Sequence, residues 1–175
     1  MEALIYLVDT LLSLCLLAVL LRLLLQWSRA DFRNPVARSI VHITNPLIVP
    51  LRRLLPAIGR VDTASCVAVI LFALLEVAAE PLLRGLGPLP ALLWLQFAAV
   101  DIVRTTLWTY FGAIIVYALL SFVAPGTYSP AQDLLQALCE PVLRPFRRVI
   151  PAFGGLDLSP LLACILIRML LILIH

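Results

Sequence analysis

The sequence predicts an all-α polytopic membrane protein with about four spanning helices in two parallel repeats, and three observations carry that reading. Hydrophobic residues make up 63% of the 175-residue chain, charged residues 13%, and the mean hydropathy is +1.08. An ordinary soluble domain carries roughly 25% charged residues, and a chain this short cannot hide so much apolar surface in a water-facing core. The apolar residues are also gathered into runs of spanning length. Finally, the stretch from residue 34 to 69 recurs, without a gap, at 129 to 164.

The first run, residues 3–26, reads ALIYLVDTLLSLCLLAVLLRLLLQ. As a helix rising ~1.5 Å per residue it crosses a hydrocarbon core of ~30 Å. With no basic segment before it and no small-x-small cleavage site after it, it reads as a retained helix rather than a secretory signal. Further spans are expected at 63–83, 105–123 and 159–174. Residues 89–103, LPALLWLQFAAVDIV, are apolar but too short to span unaided. They are read as extending the third helix into the interface, with Trp94 and Trp108 at head-group levels; a re-entrant or surface helix is the alternative. The repeats then cover 1–86, with an elbow at 34–62, and 87–175, with an elbow at 129–157.

All thirteen cationic side chains are Arg, and the formal net charge is +3. Arg keeps its charge and offers a planar fork that suits phosphate and carboxylate oxygens, which turns the reading away from Lys-dependent catalysis and towards head groups. Arg29, Arg33, Arg38, Arg52, Arg53 and Arg60 lie between the first two spans, and Arg144, Arg147 and Arg148 between the last two. Only Arg84 and Arg104 lie in the connection between the repeats. The positive-inside rule therefore places both Arg-rich loops in the cytoplasm and both termini outside.

Cys15, Cys66, Cys139 and Cys164 show no metal or haem spacing and read as small apolar residues. His42 and His175 are the only histidines, and no nucleophile-base set or Gly-rich phosphate loop is present. No catalytic site, metal or cofactor is expected, nor direct contact with nucleic acid.

The repeat sets NPVARSIVHITNPLIVPLRRLLPAIGRVDTASCVAV on SPAQDLLQALCEPVLRPFRRVIPAFGGLDLSPLLAC at an offset of 95 residues. Pro35, Pro46, Pro50, Arg52, Arg53, Pro56, Ala57, Gly59 and Asp62 fall on Pro130, Pro141, Pro145, Arg147, Arg148, Pro151, Ala152, Gly154 and Asp157. Each copy opens on a short amphipathic helix suited to the interface, with starts at Asn34-Pro35 and at Ser129-Pro130-Ala131-Gln132. The prolines then remove backbone donors, so a change of direction is expected at each elbow. Asp62 and Asp157 stand where the next span begins, and their carboxylates are expected to cap it.

Arg52, Arg53, Arg147 and Arg148 form the candidate surface for anionic lipid head groups or for a protein partner in the membrane or cytoplasm. Asp9, Arg22, Glu76, Glu80, Asp101, Arg104 and Arg168 lie in or beside apolar spans, where an unpaired charge is costly. Expected pairings are Asp101 with Arg104, and Glu76 with Arg168. Arg22 stands too near the end of its span to need a buried partner.

At the repeated Pro-Arg-Arg-Pro-Gly-Asp string, TNPLIVPLRRLLPAIGRVD and CEPVLRPFRRVIPAFGGLD, the sequence resembles the YggT (YlmG) family of small integral membrane proteins over essentially its whole length. The resemblance implies a bacterial inner-membrane protein with no established enzymatic activity. Relatives are tied to envelope organisation or cell division, to osmotic or potassium tolerance, and in chloroplasts to cofactor assembly and nucleoid distribution. The copies depart from each other at Glu140 for Asn45 and Gly155 for Arg60. The reading is a membrane scaffold or assembly factor binding through its elbows. The alternative is a small channel or transport accessory using Glu76 and Arg168, assembled as a homo-oligomer because four helices enclose little room.

Overall fold

The computed structural model describes residues 2–55, 62–87, 90–123, 129–149 and 157–174. Among the described residues the chain forms six helices and no strand: α1 (Glu2–Trp27), α2 (Pro35–Leu54), α3 (Thr63–Leu83), α4 (Ala91–Val123), α5 (Pro130–Val149) and α6 (Ser159–Leu173). Pro56, Ala57, Gly59, Arg60, Pro151, Ala152, Gly154, Gly155 and His175 lie outside the described residues.

Three helices, α1, α3 and Ala91–Phe122 of α4, are long and apolar enough to cross a membrane. At ~1.5 Å per residue α1 and α3 rise ~39 and ~31 Å, against a hydrocarbon core of ~30 Å. The chain is an all-α membrane protein. Helix α6 is equally apolar but has 15 residues, a rise of ~22 Å. Helix α4 runs unbroken for 33 residues, so residues 91–103 of the ambiguous segment continue the third span. Trp108 consequently stands near the middle of a long helix rather than at its end.

The chain clusters into two compact units, Met1–Leu23 with Ile40–Thr105, and Leu24–Ser39 with Thr106–His175. Helices α1, α2 and α4 each contribute to both.

In the first unit α3 buries Ala64, Ser65, Ala68, Val69 and Ala73. Small residues let helix backbones approach closely, which is how helices gain packing energy where lipid offers no hydrophobic drive between them. The bulky residues point away: Val67, Ile70, Leu71 and Leu75 of α3 are exposed, as are Leu4, Leu7, Leu11 and Leu14 of α1. The last four fall at i, i+3, i+7 and i+10, one stripe suited to acyl chains. Gly85, at φ +69°, closes α3 with Leu86 N–H donating to Pro81 O at 2.9 Å, a left-handed cap that a side chain would strain.

The core of the second unit joins Ile114 of α4, Cys139 and Leu143 of α5, and Ala163, Ile167 and Leu171 of α6. Burial pushes the Cys139 thiol up to about 12, so it stays protonated and behaves as a small apolar residue. Asn34 caps α2, its Oδ1 accepting the Val36 N–H at 2.9 Å, while its Nδ2 donates to the Pro130 carbonyl at 2.6 Å. Helix α5 begins at Pro130 as the sequence predicts, with Ser129 contributing its backbone carbonyl to the Asp133 N–H at 3.1 Å.

Both α2 and α5 segregate polar from apolar residues, but they run farther than expected. Helix α2 passes through Pro46 and Pro50, and α5 through Pro141 and Pro145, so none of these four prolines ends its helix. Each pair is spaced i, i+4 and faces outward in an exposed row. The bonds lost are those to the His42 and Pro46 carbonyls in α2 and to the Ala137 and Pro141 carbonyls in α5. Every lost bond falls on the proline-bearing side, leaving the ladder intact where Thr44 and Ile48, or Cys139 and Leu143, pack. The Arg pairs therefore stand in the last helical turn.

Candidate functional site

The last turn of α2 carries Arg52 and Arg53, and that of α5 carries Arg147 and Arg148. The structure splits each pair. Arg52 turns to Asp62, ten residues on, donating from Nε to Oδ1 at 3.3 Å and from Nη2 to Oδ2. Asp62 is 3% exposed and also accepts the Ser65 hydroxyl at 2.8 Å. Burial pushes the Asp62 carboxyl up, but hydrogen bonds from Arg52 and Ser65, with the charges of Arg52 and Arg22, outweigh it and hold the group below its ordinary value. Arg147 repeats the reach of ten residues, donating from Nε to Asp157 Oδ2 at 2.9 Å. Burial pushes Asp157 up as well; hydrogen bonds from Ser159 and from Arg147 again win and hold it low.

These clamps tie the end of each amphipathic helix to the start of the next apolar one. The capping expected of both aspartates holds for Asp157 alone, whose Oδ1 accepts the Ser159 N–H at 2.9 Å. Asp62 makes no side-chain cap, because both its oxygens are taken by Arg52 and Ser65. Arg53 and Arg148 are exposed and have no ion-pair partner among the described residues.

Around the clamps the two units differ. In the first, Arg22 of α1 is only 4% exposed, and its Nη1 donates to Thr44 Oγ1 at 2.8 Å and Asn45 Oδ1 at 3.0 Å. The expectation that Arg22 needs no buried partner is overturned: its guanidinium is buried against Thr44 and Asn45 of α2. In the second unit Arg147 Nη1 donates to Glu140 Oε2 at 2.6 Å and Nη2 to the Tyr117 hydroxyl at 3.3 Å. Glu140 stands 95 residues after Asn45, and Tyr117 stands 95 after Arg22. Both clamps are thus flanked by equivalent positions, which add a cation, Arg22, in the first unit and an anion, Glu140, in the second. The signal was present in the sequence: carrying the repeat alignment back into the first span sets Arg22 on Tyr117.

The remaining intramembrane charges are only partly satisfied. Glu76 accepts a hydrogen bond from Ser13, leaving Oε2 buried without a partner, as is Asp101 Oδ2. Arg168 lies over the rings of Trp108 and Phe111, 5.5 and 6.0 Å from their centroids. Glu76 and Arg168 thus each have a contact within their own unit. Asp101 and Arg104 do not reach ion-pair distance, whereas Glu80 pairs with Arg84 at 3.0 Å, as does Glu2. His42 is exposed on α2.

Comparison with known proteins bears on this duplicated clamp. The sequence profile of the CCB3/YggT family matches residues 1–83 and 96–175, two segments whose starts are 96 − 1 = 95 residues apart. The chain belongs to the CCB3/YggT family. An uncharacterized protein of Pseudomonas aeruginosa is 43% identical over 172 residues, covering 96% of this chain and 86% of that protein. The uncharacterized protein YggT of Escherichia coli K12 is 35% identical over 167 residues, covering 95% and 86%. An uncharacterized Vibrio alginolyticus protein is 35% identical over 162 residues, covering 92% and 87%. No solved structure matches the chain.

Proposed function

We propose that the protein is a non-enzymatic scaffold or assembly factor of the bacterial inner membrane, concerned with envelope organisation or cell division. It holds anionic head groups or a protein partner through Arg53 and Arg148. One observation supports this above the rest: in both units the first Arg of the pair is held to an Asp by a clamp, while the second is exposed and unpaired among the described residues. An amphipathic helix lying at the membrane surface presents such a cation to anionic lipid, at ~1 kcal/mol each. With α6 as a fourth crossing, the positive-inside rule puts α2 and α5 on the cytoplasmic face and both termini in the periplasm.

The test is crosslinking from native membranes, with and without photoactivatable anionic lipid, comparing wild type with Arg53→Ala/Arg148→Ala. The double variant is expected to keep its thermal stability and lose the crosslinks; unchanged crosslinks would refute the assignment. A second reading, a small channel or transport accessory acting in ion or osmotic balance, draws on the buried, unpartnered Oε2 of Glu76 and Oδ2 of Asp101. It requires that Glu76→Gln abolish ion flux in liposomes while Arg53 and Arg148 are dispensable.

A further inference from the structure

The two clamps form an internal comparison in which one copy contains an anion that the other lacks. In the second unit Arg147 uses all three guanidinium nitrogens: Nε on Asp157, Nη1 on Glu140 and Nη2 on Tyr117. Two carboxylates serve one Arg. In the first unit the Nε and Nη2 of Arg52 are likewise committed to Asp62, but Nη1 has no such acceptor, because the residue equivalent to Glu140 is Asn45 and its amide oxygen is bonded to Arg22. Here two Arg share one carboxylate, since Arg22 forms no ion pair and its acceptors, Thr44 and Asn45, are neutral.

No carboxylate elsewhere fills this gap. All ten Asp and Glu residues lie among the described residues, and those in ion pairs with Arg are Glu2, Asp62, Glu80, Glu140 and Asp157. The undescribed residues 56–61, PAIGRV, add a further cation and no acid. A guanidinium as buried as Arg22 is costly unless opposite charge stands near it, and here the single nearby carboxylate is already shared. Arg22 lies five residues before the end of α1, ~7.5 Å along the axis, which places it near the level of lipid head groups if α1 spans. The Arg52 side chain is 50% exposed, against 31% for Arg147, and its Nη1 has no acceptor among the described residues.

We propose that the first unit binds a phosphate-bearing anion at the Nη1 edge of Arg52, with the buried charge of Arg22 behind it, in the position that the Glu140 carboxylate takes in the second unit. The chemistry recognised is a phosphodiester or phosphate oxygen, for which the Arg fork is suited. Asn45 is the determinant, since a carboxylate at that position satisfies the cations from within. The proposal rests on the membrane-surface reading above but uses other residues, so the two can fail separately.

The experiment measures retention of phosphatidylglycerol by the purified full chain in neutral detergent, with phosphatidylcholine and inorganic phosphate as parallel probes. The variants are Asn45→Glu, Arg52→Lys and Arg53→Ala/Arg148→Ala. Wild type is expected to bind phosphatidylglycerol over phosphatidylcholine. Asn45→Glu should weaken this at least about tenfold while raising thermal stability in the absence of lipid. Arg52→Lys, which keeps the charge but loses the fork, guards against an Asn45→Glu chain that does not fold and should also lose retention. Competition by inorganic phosphate at matched concentration assigns the site to the free anion; its failure to compete assigns it to lipid. Undiminished retention in Asn45→Glu, or no preference for phosphatidylglycerol and no phosphate binding in wild type, overturns the proposal. Loss of retention in Arg53→Ala/Arg148→Ala alone would leave the surface reading standing and this one refuted.

Discussion

Replacing Asp62 by Asn is expected to destabilise the protein by about 2–3 kcal/mol, and the matching Asp157→Asn by about 1 kcal/mol. The difference follows from the surroundings of each carboxylate. Asp62 is 3% exposed and is the only carboxylate paired with a cation among Arg22 and Arg52; neutralising it leaves two like charges facing each other. Removing one partner of a buried pair costs about 3–5 kcal/mol, and the half-exposed Arg52 side chain lowers that through solvent screening. The Asp157 side chain is 41% exposed, and its loss still leaves Arg147 bonded to Glu140. Unfolding by heat or by denaturing detergent in mixed micelles measures both. A cycle adding Arg52→Gln to Asp62→Asn should return a coupling of about 1–2 kcal/mol, since the two groups are in contact. Equal costs at Asp62 and Asp157, or strict additivity of Arg52→Gln with Asp62→Asn, would refute the reasoning.

Two further outcomes follow from the same geometry. Asp62 and Asp157 both sit below their ordinary value of 3.8, so their clamps contribute fully above that pH and fade as pH falls through the lower folded values. Melting temperature should therefore drop as the protein is acidified below about pH 4, and Asp62→Asn should flatten that drop; an unaltered slope would remove Asp62 from the account. Trp108→Leu deprives Arg168 of the ring it covers and should cost about 1–2 kcal/mol, with Trp108→Phe costing less. Equal melting temperatures for wild type and Trp108→Leu would show that Arg168 gains nothing from the ring.

The amino-acid sequence determined a great deal of this protein by composition and order alone. Lipid as solvent follows from the apolar excess, because no packing of so short a chain hides it. The duplication, the helix starts at Pro35 and Pro130, and the run of α4 through residues 91–103 were all legible, since each depends on neighbouring residues or on identity between the copies. Even the equivalence of Arg22 with Tyr117 is a matter of counting. The tertiary structure decided which charges meet. Consecutive Arg residues look alike in a string, yet a helix turns each by ~100°, so Arg52 and Arg147 face the next helix start while Arg53 and Arg148 face away. The i, i+4 spacing of the prolines breaks the ladder only on the exposed side, a distinction that needs to know which side is packed. Arg22 is buried because Thr44 and Asn45 of α2 come to its guanidinium, and Glu76 turns to Ser13 because α1 supplies a hydroxyl at that level. These are long-range contacts, and no local pattern in the sequence encodes which side chains a packed helix will meet.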